Sequence, residues 1–349
     1  MRKFDYSFLK NSLLPAKLLG FTNHIAEIKA LDNFRKRDYP DIFTQLEKIA
    51  KVHSVKGSNA IENIITTDKR IEEIVNQSAT PLNHNEQEIA GYRDALQVIH
   101  SNFNAILLSE QTIKNLHSFL LSFTETGGGN YKTSDNLILE IDHEGNRKIR
   151  FIPTLASETK ESMEQLVYAF LDANQDSEIN KLLLIPCFIL DFLCIHPFSD
   201  GNGRMSRLLS LLLLYQAGFD AGKYISFEDQ IHKNKKQYYE ALGKSSEKWG
   251  QNENDYFPFI ENFVITLLIC YKELDKRFAL IQIKKISKKE RIEQTLLNSL
   301  LPLSKQEINY ILPDISATTI EMVVSKMLKE GKINKIGTFK NARYSRSKK

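Results

Sequence analysis

His196-Pro197-Phe198-Ser199-Asp200-Gly201-Asn202-Gly203-Arg204-Met205-Ser206-Arg207 is a polar, glycine-punctuated stretch between two apolar runs, residues 182–195 and 208–214. A segment that is apolar all round reads as a buried helix, so the polar stretch is expected to join two core helices. Its residue types fit together chemically. Asp200 offers a hard carboxylate oxygen, the ligand type that Mg2+ takes. Gly201-Asn202-Gly203 lets backbone N–H groups come close to an anion where the second helix begins, the arrangement that favours phosphate. Arg204 and Arg207 are three apart and share a helix face, and guanidinium forks suit anions with several oxygens. A histidine base, a metal ligand, an anion nest and two arginines are the parts of a phosphoryl- or nucleotidyl-transfer site.

Outward from this stretch the pattern is helical. Apolar residues recur every three to four positions through residues 25–34, 42–52, 71–75, 95–103, 113–123, 163–171, 182–195, 204–217 and 260–278. Asn136-Leu-Ile-Leu-Glu-Ile-Asp142 and Arg147-Lys-Ile-Arg-Phe-Ile152 interrupt it, joined by the turn-rich His143-Glu-Gly-Asn146. They predict a β-hairpin, too small to be stable without a larger body to lie on. A lysine-rich stretch from Lys284 to Arg291 opens a different pattern: a helix over 292–300, a capping box at Ser304-Lys-Gln-Glu307, a helix over 317–330 ended by Gly331, a strand over 333–336, a Gly337 turn and Arg343-Tyr344. Three helices and a wing are a winged helix-turn-helix order, with the helix from Ala317 as recognition helix. The expected fold is all-α with one hairpin, divided into residues 1–80, 81–283 and 284–349.

Composition narrows the classes. With 349 residues, 42% hydrophobic and 26% charged, the chain is neither disordered nor fibrous. No apolar run reaches the roughly 18–20 residues of a membrane span, since Asp191 interrupts the richest one. No apolar h-region follows the basic N-terminus, so a secretory signal is not expected. Cys187, Cys194 and Cys270 stand singly in apolar surroundings, which points to a reducing, cytoplasmic protein. The net charge of +4 is uneven: from residue 284 onward 15 Lys and Arg face 6 Asp and Glu. A basic C-terminal module on an acidic body suggests DNA or another polyanion, with Lys335, Lys340, Arg343 and Arg346 flanking the wing. Winged helices also serve as protein-docking or dimerisation elements, and that alternative stands beside DNA.

Residues 196–207 resemble the Fic motif, His-x-Phe-x-Asp/Glu-Gly-Asn-Gly-Arg-x-x-Arg, at every fixed position. The resemblance extends over residues 13–278, with the hairpin in the place of the family's flap and Tyr238-Tyr-Glu-Ala-Leu242 downstream. It implies a Fic helical bundle and AMP transfer from ATP to a Ser, Thr or Tyr hydroxyl of a protein, the chain itself included. His196 would then be the general base, Phe198 a core anchor, and Asp200 the ligand of Mg2+ at the α- and β-phosphates. Gly201, Asn202 and Gly203 would cradle the phosphates, Arg204 the phosphate chain and Arg207 the γ-phosphate. Tyr239 would line the adenine pocket, and the hairpin would hold the target by strand addition. The alternatives are transfer of another phosphate-containing group, removal of AMP, or a DNA-binding regulator that senses nucleotide; a homodimer is compatible with each.

Upstream, Ser58-Asn59-Ala60-Ile61-Glu62-Asn63 resembles the family's inhibitory signature, Ser/Thr-x-x-x-Glu-Gly/Asn, with Asn63 where glycine is commoner. Ser58 and Glu62 are four apart and share one face of a short helix. The implied role is a Glu62 pair with Arg207 that occupies the arginine ATP needs. His117, at helical spacing within an apolar face, reads as a core histidine.

Overall fold

The computed structural model describes residues 2–141, 147–281, 287–299, 301–338 and 342–347. In chain order it forms α1 (Phe8–Asn11), α2 (Ala16–Asp38), α3 (Pro40–Ile61), α4 (Asp68–Gln77), α5 (His84–Asn102), α6 (Glu110–Leu120), β1 (Ile138–Ile141), β2 (Arg147–Phe151), α7 (Ala156–Gln175), α8 (Lys181–Ile195) and α9 (Asn202–Gln216). Then come α10 (Phe227–Lys233), α11 (Lys235–Ser246), α12 (Phe257–Ile281), α13 (Lys288–Asn298), β3 (Leu303–Ser304), α14 (Lys305–Ile311), α15 (Ala317–Lys329), β4 (Ile333–Ile336) and β5 (Arg343–Arg346). The architecture is mostly helical, as the periodicity predicts.

Side-chain caps set many of the helix starts. Thr67, Asn83, Ser109 and Asn180 each accept a hydrogen bond from a backbone N–H in the first turn, which satisfies a donor the helix cannot. Ser287 with Glu290, and Ser304 with Glu307, form reciprocal capping boxes. The first of these starts α13 at Lys288, four residues before the apolar periodicity becomes visible.

Helix α8 is the axis of the body. All its residues from Leu182 onward are buried, and it packs against α7, α9 and α12. One cluster of buried side chains runs from Tyr6 to Phe278, and α2 and α3 join it through α12, α10 and α5. The charge in the middle of α8, Asp191, is fully buried but satisfied by the Tyr6 and Tyr256 hydroxyls, the Trp249 indole N–H and Arg2. A buried carboxylate kept in this way ties the N-terminal segment to the core.

Strands β1 and β2 pair antiparallel, Leu139 opposite Ile149, with a register shift after Ile138. The expected turn at His143-Glu-Gly-Asn146 lies outside the described residues. A second buried cluster runs from Ile292 to Tyr344. Around it β3, β5 and β4 form an antiparallel sheet, and β3, two residues long, is too short for any periodicity to announce. Lys340 lies outside the described residues. Where this module meets the body, the Tyr310 ring stands 4.5 Å from the His53 ring on α3 and 3.7 Å from the Arg277 guanidinium.

Candidate active site

The loop between α8 and α9 is built to be rigid. His196 caps α8 in the left-handed region, φ +52°, a conformation costing a non-glycine residue roughly 1–2 kcal/mol. Phe198 is fully buried and stacks on His117, ring centroids 3.7 Å apart. The Asn202 side chain clasps the loop, accepting from the Phe198 N–H at 3.0 Å and donating to its carbonyl at 2.7 Å. What Asn202 can offer an anion is therefore its backbone N–H. Gly201, φ +78°, begins α9 in a conformation side chains avoid, and a Cβ there would press on Leu120 at 3.1 Å.

His117 is a core histidine with a task. Its Nδ1 accepts from the Gly129 N–H at 2.8 Å, and its Nε2 faces the Asp200 carbonyl at 3.1 Å. Burial brings its pKa down to about 4, which keeps the ring neutral with Nε2 as donor. Burial does the same at His196, also to about 4. The Leu193 carbonyl lies 3.4 Å from His196 Nδ1, which favours the Nδ1–H tautomer and leaves a lone pair on Nε2.

Asp200 is exposed, its Oδ1 taking the Gly201 N–H at 2.6 Å and its Oδ2 3.4 Å from Arg204 Nη2. Arg204 is buried and pairs with Glu88 of α5 at 3.2 Å, yet its Nε and Nη1 have no aligned hydrogen-bond acceptor. Arg207 is engaged through Nε and Nη2. Nε donates to Ser58 Oγ at 2.8 Å, and Nη2 to the Ser58 carbonyl at 2.9 Å and Glu62 Oε1 at 2.8 Å. Burial opposes its charge most strongly, but the Glu62 carboxylate and, behind it, the Tyr92 and Tyr238 hydroxyls together raise its pKa.

Ser58 and Glu62 do not sit on a short helix. They close the 22-residue α3, Ser58 in its last turn and Glu62 as its C-cap. The helix continues past its apolar stretch because small and polar residues pack it on α10: Ser54 donates to the buried Glu228 at 2.9 Å, and a Cβ on Gly57 would meet the Asp229 backbone at 2.9 Å. Asn63 follows with φ +62°, the region glycine and asparagine tolerate best, which accounts for the residue type there.

These residues surround a cavity of about 490 Å³ lined by Glu62, Asn63, His84, Glu88, His196 and residues 199–204. Such a volume suits a small-molecule site. Tyr239 is not in that lining; it packs on Tyr238 at 5.4 Å, and Arg150 of β2 donates to its carbonyl at 2.5 Å. Among the described residues no three His, Cys, Asp or Glu side chains converge as a metal cage. Sequence reasoning missed His84 and Glu88, which α5 brings in from more than a hundred residues away without any local pattern.

Residues 107–214 match the Fic/DOC family, so the chain contains a Fic/DOC domain. It is 28% identical over 224 residues to a protein adenylyltransferase Fic of Nematostella vectensis, covering 61% of this chain and 46% of that protein. To the protein of the same name from Aedes aegypti it is 44% identical over 66 residues, 19% of this chain and 11% of that one. The chain thus spans about half the length, or less, of these relatives. A Fic family protein from Desulfovibrio desulfuricans G20 shares the fold with a TM-score of 0.61 at 18% identity, over 97% of this chain and 98% of its own. A Fic domain containing signaling protein from Bacteroides thetaiotaomicron does so at 0.60 and 20%, over 72% and 94%. Among the described residues no helix is long and apolar enough to cross a membrane.

Proposed function

We propose that the chain is an ATP- and Mg2+-dependent protein adenylyltransferase held back by Glu62. The observation that carries this reading is the cavity in which His196, the N-terminus of α9 and Glu62 meet. His196, neutral with Nε2 free, takes the proton of a target Ser, Thr or Tyr hydroxyl as its oxygen forms a bond to the α-phosphorus and the bond to the departing pyrophosphate oxygen breaks. The backbone of residues 201–203 and the α9 N-terminus receive phosphate oxygens. Arg204 supplies Nε, a buried donor without an aligned acceptor, beside Nη1, which the Glu88 carboxylate holds at 3.2 Å in poor alignment, a cost an anion relieves. Asp200 fits Mg2+, which characteristically takes one or two carboxylates and completes its shell with phosphate oxygens and water. When bound, the ion neutralises phosphate charge.

Arg207 would serve the γ-phosphate, and Ser58 and Glu62 already hold it. This geometry supports inhibition through α3. For the C-terminal module, residues 284–349, the Tyr310 contact with His53 and Arg277 supports docking on the body in preference to DNA. Arg343, one of the wing cations, is occupied by Glu307 and the Pro302 carbonyl.

The test is AMP incorporation from α-labelled ATP with Mg2+ by wild type, Glu62→Gly and Glu62→Gly/His196→Ala, with lysate and the chain itself as acceptors. Label in the single variant that disappears in the double one supports the reading. No label in any of the three, with ATP bound, sinks it.

A further inference from the structure

His196 is held in its costly left-handed conformation by something outside its own loop. The three carbonyls of residues 195, 197 and 198 are all received by one short segment that precedes the hairpin. Lys132 N–H donates to the Pro197 carbonyl at 2.8 Å, and Lys132 Nζ to the Ile195 carbonyl at 3.1 Å. Asn136 Nδ2 reaches the Phe198 carbonyl at 3.4 Å, and Asn136 Oδ1 takes a second Lys132 Nζ proton at 2.9 Å. Lys132 thereby grips the chain on both sides of His196.

The ammonium is an unusual one. Lys132 is 4% exposed and makes no ion pair among the described residues. Burial lowers its pKa to about 8, with Asp135 acting in the opposite sense. A buried cation without a carboxylate persists where other acceptors reward it. Here the acceptor is a carbonyl at the C-terminus of α8, where helix carbonyls lack partners and the dipole is negative. Strained backbone at a site survives only where its surroundings over-determine it, and Lys132 supplies that constraint.

We propose that Lys132 is a positioning residue for His196: its backbone and ammonium together fix the His196 loop to the base of the hairpin, so that the base and the strand that would carry the target move as one body. This rests on His196 being the base of the proposed transfer. Lys132 touches no reacting atom; it acts through the imidazole it places.

The test uses the full chain in the Glu62→Gly background, comparing Lys132→Met, which keeps the stem and removes the ammonium, with Lys132→Arg. Lys132→Met is expected to lower kcat about tenfold or more, since small misplacements of a catalytic group cost such factors, with KM for ATP within about twofold. Amide hydrogen exchange should rise at residues 193–198 and stay unchanged in α12, and Lys132→Arg should recover most of the rate. Full kcat in Lys132→Met, or a loss of rate without faster exchange at 193–198, overturns the inference. If the Glu62→Gly parent transfers no label, the adenylyltransferase reading fails instead, and the exchange comparison alone decides whether Lys132 pins the loop.

Discussion

Arg207 and Glu62, 145 residues apart in sequence, meet at 2.8 Å, and the same guanidinium takes Ser58 at 2.8 Å. Hydrogen bonds to charged groups contribute on the order of 1.5–3 kcal/mol each. Glu62→Gly removes one and frees Arg207, so AMP incorporation should rise about tenfold to a hundredfold over wild type. Unchanged incorporation, measured with labelled ATP, contradicts inhibition by Glu62.

Gly203 lies under the same carboxylate. A Cβ at this position would stand 2.3 Å from Glu62 Oε1 and 3.4 Å from Arg207 Nη1. A Cβ there must push the flexible Glu62 side chain aside, which loosens its ion pair with Arg207. Gly203→Ala should therefore lower Tm more in wild type than in Glu62→Gly, where the obstructing oxygens are gone. Equal Tm losses in the two backgrounds would show that the carboxylate does not seat there in solution.

The histidines set a pH dependence. As the proposed base, His196 would act only when neutral, and burial puts its pKa at about 4. In Glu62→Gly, kcat/KM should hold from neutral pH down to about pH 5 and fall only on approach to the pKa, whereas an ordinary histidine would lose activity through 6.5. Stability follows the same sign. The unfolded chain takes up protons at His117 and His196 near 6.5 while the folded chain resists them until about 4. Their contribution is thus complete above 6.5 and declines as pH falls toward 4, so the urea midpoint should be lower at about pH 5 than at about pH 7.5.

His117→Phe keeps a ring against Phe198 and removes the contacts to Gly129 and the Asp200 carbonyl. With each hydrogen bond worth about 1 kcal/mol net, the urea-extrapolated stability should drop by about 2 kcal/mol. A loss under about 0.5 kcal/mol would mean the two loops hold each other without it.

Residues 196–207 were legible because all their chemistry lies within twelve consecutive positions and helix periodicity flags both flanks. The hairpin strands and β4 were legible for a similar reason. Ser58 and Glu62 could be matched to Arg207 through family resemblance, but not the length of α3: its last turns carry Ser54 and Gly57, packed on α10, and Ser58, held by Arg207, small or polar buried residues which no apolar pattern marks. Glu88 and Lys132 were invisible because their roles exist only once α5 and the segment before β1 fold onto the 195–204 region.

Glu62 and Arg207 are carried by one chain, so folding and not mass action sets how often they meet. Dilution cannot separate them, and raising the protein concentration cannot drive them together. Under the proposed inhibition, one restraining carboxylate would accompany every copy of the site, whatever the amount of protein.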